Sequence, residues 1–179
     1  KGGTYLFAGT CSDGAISVKK EATAAAVLLF DTVDLTSSFT SPVTIKKDST
    51  STVTIKVLKG TTSKLTDAAN NNADVYGPTT DGGDGSNQYF AESAVIKGKT
   101  SSNLTLCGTG TLILKANAKN GVKLGESAQL TISDLTLVID SVDHGISCEN
   151  LLTIQSGVFA ITAAGDGIRA EDDTALIGS

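Results

Sequence analysis

A motif that returns at a nearly constant interval is the feature that most restricts this chain. The triplets Leu104-Thr105-Leu106, Leu130-Thr131-Ile132, Leu152-Thr153-Ile154 and Ala175-Leu176-Ile177 recur about every 22 to 26 residues, a period that belongs to solenoids. A second apolar series follows each of the first three: Leu112-Ile113-Leu114, Leu137-Val138-Ile139 and Phe159-Ala160-Ile161. A third starts at glycine: Gly121 to Leu124, Gly145 to Cys148, and Gly167 to Ala170. Three short strands per repeat, each alternating apolar and polar residues, describe a triangular β-coil rather than a helical array.

The fold expected is therefore all-β, a single right-handed parallel β-helix over residues 1–179 with about 22 to 26 residues per coil. Equivalent side chains of successive coils should stack, Ile132 over Ile154 for example. A narrow interior of this kind fills with aliphatic residues, which suits a chain with 4% aromatic residues and neither Trp nor Met. Earlier coils are expected at Gly3 to Phe7, Gly14 to Val18, Val27 to Phe30, Val43 to Lys46 and Val53 to Val57. The Ala-rich stretch from Lys19 to Ala26 reads as a short turn or a cap. Near residues 67–90 the pattern gives way to Asn, Asp and Gly, the composition of one inserted loop. The last coil holds only its first strand, so the repeat reads as unfinished, and Leu176 and Ile177 mark a candidate assembly end.

The scarcity of aromatics argues against stacking platforms for single-stranded nucleic acid. A net charge of −5 and scattered basic residues argue against phosphate backbones. The longest apolar stretch, Ala24 to Phe30, is far too short to cross a bilayer. The chain opens at Lys1 without Met, as expected of a processed chain or an excised piece. Cys11, Cys107 and Cys148 form neither a zinc pattern nor a disulfide framework and read as structural. Asn103-Leu104-Thr105 is a sequon that a eukaryotic secretory pathway would glycosylate.

Read together, the corner motifs resemble a family of extracellular carbohydrate-binding, right-handed parallel β-helix proteins with a pectate-lyase-like coil, described from cellulose-degrading bacteria. The resemblance rests on Gly3 to Gly14, Lys64-Leu-Thr-Asp67, Leu104-Thr-Leu-Cys-Gly-Thr-Gly-Thr-Leu112, Val142-Asp-His-Gly-Ile146 and Ala164-Gly-Asp-Gly-Ile-Arg169. It covers most of the chain in the family's order. It implies a non-catalytic, extracellular or cell-surface protein that binds cellulose-like or acidic polysaccharide, with calcium at its loops and no organic cofactor. The sequence departs from the family's repeated Asp-Asp-Gly-Ile corners at Asn120, His144 and Gly165.

Several residues are candidates for this chemistry. Asp143, Asp166, Glu171 and Asp172 at the corners, with Asp81 and Asp84 in the insertion, have the oxygen ligands calcium requires, although Asp and Gly also simply make turns. Lys115, Lys119 and Lys123, expected to cluster around one corner with Asn117 and Asn120, have the polar groups to meet a uronate. Solvation of a β-face accounts for them equally. Tyr76 and Tyr89 flank the insertion and are suited to contact a sugar ring. Arg169, the single arginine, suggests the base of a polysaccharide lyase, but a surface ion pair with Glu171 or Asp172 is the simpler role for a group that stays protonated. His144, the single histidine, reads as a polar member of a stack between Asn120 and Asp166. Two other functional classes remain beside a binding module: a structural protomer stacking end to end into an extracellular filament, and a calcium-dependent lyase, which the scarcity of acidic pairs and bases disfavours.

Overall fold

The computed structural model describes residues 2–19, 23–48, 51–72, 91–171 and 176–177. These residues form a parallel β-solenoid of three walls and contain no helix. Strands β1 (Gly3–Cys11) and β2 (Ile16–Val18) make the first turn, and β3 (Ala26–Ser37) and β4 (Val43–Ile45) the second. The third holds β5 (Val53–Val57), β6 (Thr62–Asp67) and β7 (Ala94–Gly98), with the insertion between the last two. Strands β8 (Asn103–Gly108), β9 (Thr111–Ala116) and β10 (Asn120–Leu124) follow, then β11 (Gln129–Ser133), β12 (Leu135–Ser141) and β13 (Ile146–Cys148). A further turn is β14 (Leu151–Ile154), β15 (Gly157–Ala163) and β16 (Ile168–Ala170), and β17 (Leu176–Ile177) pairs with β14.

The three apolar series read from the sequence are the three walls. The first runs β3-β5-β8-β11-β14-β17, the second β3-β6-β9-β12-β15, and the third β2-β4-β7-β10-β13-β16. Strand β3 is long enough to serve the first two walls, and its bend falls at Thr32. That residue has φ 56° and is skipped in the pairing with β1, where Ala8 faces Asp31 and Gly9 faces Val33. One extra residue turns the strand without ending it.

Stacking in register makes the core. Ile55, Leu106, Ile132 and Ile154 lie over one another in the first wall, Leu65, Leu114, Ile139 and Ile161 in the second, and Val43, Ile96, Val122 and Ile146 in the third. Most are fully buried, and a ring contact joins Phe7 and Phe30, edge to face at 5.9 Å. The alternate positions point outward, as a period of two requires. On the first wall they give Thr54, Thr105, Thr131 and Thr153, one per turn. Coils pack so closely that Gly108, at φ 108°, has no room for a side chain: a Cβ there would sit 2.1 Å from the Val57 carbonyl oxygen.

Candidate functional site

The outward positions of the third wall carry the charge. In register from turn to turn they are Thr44, Lys97, Lys123, Ser147 and Arg169. Thr44 and Ser147 are themselves buried, whereas Lys97 and Lys123 follow the inward Ile96 and Val122, and the strand period that buries those residues lifts the lysines to the surface. Beside Lys97 and Lys123 an open groove of about 450 Å³ is lined by Glu92, Lys97, Lys99, Lys123, Glu126 and Glu149, among others.

The charges in the groove are unevenly matched. The Glu92 carboxylate, its side chain 4% exposed, lies 2.8 Å from Lys99 Nζ and 3.4 Å from Lys46 Nζ. Lys123 is 3.6 Å from Glu149. Lys97 has no carboxylate within ion-pair distance among the described residues and lies directly across from Lys123. Burial, aided by the Lys123 charge, pulls its ammonium down to about 8 against the more distant attraction of Glu149 and Glu92. Lys97 is therefore the unmatched cation of the groove.

A buried polar clasp fixes one rim. Asn71, 0% exposed, donates from Nδ2 to Asp67 Oδ2 (2.8 Å) and to the Ala94 carbonyl (2.9 Å), while its Oδ1 accepts the Glu92 N–H (2.7 Å). Asp67 Oδ1 accepts the N–H groups of Asn117 (2.6 Å) and Ala118 (3.4 Å), and Asn117 Nδ2 donates to the Asp67 carbonyl. Desolvation pushes the Asp67 carboxyl above its usual range, and these donors oppose the shift. Both described ends of the insertion are thus tied to the next coil, and Glu92 is held where it meets Lys99.

A second ladder runs down the corner that leads into the third wall. Asn120 Nδ2 donates to the Ser93 carbonyl at 2.8 Å, its Oδ1 accepts the His144 N–H at 3.3 Å, and His144 Nδ1 accepts the Asp166 N–H at 2.9 Å. His144 is the stack member between Asn120 and Asp166 that the sequence suggests. Its Nε2 lies 3.0 Å from Arg169 Nη1, and Arg169 Nη2 is 3.3 Å from Glu171, the surface ion pair expected.

The remaining sequence candidates divide. Lys123 lines the groove, but Lys115 stands on the second wall, paired with Asp140 of the next coil. The two flank one corner without sharing a face, and Lys119 lies in the turn between, its carbonyl accepting the Asp143 N–H. Asn120 is 3% exposed and Asn117 holds Asp67, so both amides serve the scaffold. Asp143 and Asp166 face His144 at 3.5 and 3.4 Å. Among the described residues no three His, Cys, Asp or Glu side chains gather as a metal site. Tyr76, Tyr89, Asp81, Asp84 and Asp172 lie outside the described residues. Asn103 opens β8, half-exposed, and Leu176 and Ile177 form β17. The three cysteines are unpaired; Cys11 is exposed and Cys148 buried.

Sequence reasoning missed Lys97, Lys99, Glu92, Glu126, Glu149 and the Asp67–Asn71 pair. A signal for the first was present: Ala94-Val95-Ile96-Lys97 aligns with Asn120-Gly121-Val122-Lys123 one ordinary repeat later.

Residues 1–177 match a family described as carbohydrate-binding domain-containing protein. A solved structure of the polysaccharide lyase-like protein from C. thermocellum, a gadolinium derivative, superposes with a TM-score of 0.71 at 26% identity, over 99% of this chain and 70% of that one. No curated protein matches the chain.

Proposed function

This chain belongs to the carbohydrate-binding domain-containing protein family, and from that premise we propose that it binds an acidic polysaccharide outside the cell, without cleaving it, through the groove of the third wall. The observation that carries the reading is Lys97: a half-buried ammonium with no carboxylate within ion-pair distance among the described residues, stacked on Lys123 in an open groove. An anion entering there relieves a charge that the fold leaves uncompensated. A carboxylate on every sugar would meet Lys97 and Lys123, and Thr100, which also lines the groove, is placed to share a hydroxyl contact. Binding without cleavage is supported by the engagement of Glu92 by Lys46 and Lys99, and of Glu149 by Lys123, which leaves these carboxylates as counterions rather than bases.

Retention on immobilised polygalacturonate, on its methyl-esterified form and on cellulose, each with calcium or with chelator, tests the reading. The unesterified polymer should retain the protein, and Lys97→Gln with Lys123→Gln should weaken retention about tenfold or more, the scale of losing charge-assisted hydrogen bonds. Equal retention by the esterified polymer, or an unaffected double variant, would remove the groove from the account. Release of unsaturated uronides would overturn the non-catalytic part.

A further inference from the structure

We propose that Lys97 is a carbonyl-reactive amine, and that the groove takes an aldehyde carrying a nearby carboxylate, such as the open-chain reducing end of a uronic acid, as an imine on Lys97 Nζ. The inference extends the proposed binding function from ionic capture to covalent chemistry, and rests on that reading only for the identity of the natural ligand.

The geometry supplies what an amine nucleophile needs. Lys97 is half-buried yet lines the open groove, so a small molecule reaches Nζ while bulk water solvates it only partly. No carboxylate among the described residues lies close enough to hold it as an ion pair, whereas Lys46 and Lys99 are held by Glu92 and Lys123 by Glu149. Its cross-strand neighbour is a like charge, Lys123. Desolvation together with an adjacent cation is the arrangement that activates lysine toward carbonyls. The groups facing Nζ are Lys123, Lys99, Glu149 and Glu92, and their net effect with burial is a group that titrates near 8. At pH 7 its free-base fraction exceeds that of a lysine at 10.5 by about two orders of magnitude. After the lower nucleophilicity of a weaker base is counted, an advantage of about tenfold or more remains.

The step balances without an oxidant or reductant. The Nζ lone pair forms a bond to the aldehyde carbon as the C=O π bond breaks, one Nζ proton passes through groove water to the oxygen to give the carbinolamine, and the second leaves with the hydroxyl as water, forming the C=N bond. The carboxylate of the ligand lies against Lys123 and Lys99.

The test uses glyoxylate, the smallest aldehyde with a carboxylate, at limiting concentration and pH 7 with cyanoborohydride to trap the imine, followed by peptide mapping. Carboxymethylation should reach Lys97 about tenfold faster than exposed lysines such as Lys47 and Lys59, and propionaldehyde should discriminate less. Lys123→Gln should slow labelling of Lys97 by removing the like charge that adds to burial in lowering its basicity. Lys97→Arg keeps the charge and removes the nucleophile, so it should lose the selective label while the slow labelling of Lys47 and Lys59 is unchanged. Labelling of Lys97 no faster than of Lys47 and Lys59 overturns the proposal. Selective labelling in a protein that polygalacturonate does not retain would leave the reactive amine standing and refute the polysaccharide reading instead.

Discussion

Asn71→Ala should destabilise the protein by about 3 to 5 kcal/mol. The side chain is fully buried and makes three hydrogen bonds, to the Asp67 carboxylate, to the Ala94 carbonyl and from the Glu92 N–H. Removing it orphans one backbone donor and weakens two acceptors. An unsatisfied buried group costs about 1 to 3 kcal/mol, and a charged one more. Water entering the space left behind lowers the total below the simple sum. Urea unfolding followed by circular dichroism reads the effect as a lower midpoint with unchanged slope. Asn71→Asp sharpens the test, because it sets a second carboxylate against Asp67. That variant should be the less stable of the two at pH 7 and recover as the pH falls and one carboxyl of the pair takes up a proton. A loss below about 1 kcal/mol for alanine, or a pH-independent aspartate variant, would refute the view that this amide closes the base of the insertion.

Two further perturbations address the packing and the groove. Gly108→Ala forces a Cβ to within 2.1 Å of the Val57 carbonyl at φ 108°, so the thermal midpoint should fall by several degrees; an unchanged melting curve would show that the coils can separate there. For Lys97 the folded value lies below the unfolded one, so between about 8 and 10.5 the unfolded chain holds the extra proton and stability rises with pH. Lys97→Met removes that dependence: it should be the more stable protein at pH 7, by up to about 3 kcal/mol, and lose the advantage by pH 10.5, whereas a constant difference across the range would place the ammonium in ordinary solvent.

The fold was legible because the interior repeats. Leu104, Leu130 and Leu152 occupy one column, and their sequence spacing alone reports one strand per turn. The stack of Asn120, His144 and Asp166 was legible for the same reason, since each lies at the same offset from its corner. The site was harder to read because the insertion separates Lys97 from Thr44, its neighbour on the wall, so the strand that carries Lys97 resumes the repeat without an obvious predecessor. Lys115 and Lys123 look like companions in sequence, yet a corner turns them onto different walls. Asn117 and Asn120 have the chemistry of sugar ligands, but burial gives their amides to Asp67 and Ser93. Residue type reports what a group is able to bind; only the winding of the coil reports what it already holds.

The register of the third wall has a consequence for how such a surface changes. Lys97, Lys123 and Glu149 come from three successive turns, so no single repeat contains the groove. Its floor is a ruler whose graduations are coils, each adding about 4.8 Å, the spacing between neighbouring strands. Duplicating one repeat lengthens the row of charges by one rung without altering any local contact, and deleting one shortens it by the same step. The length of polymer that such a surface measures is then set by genetic counting rather than by remodelling of a pocket.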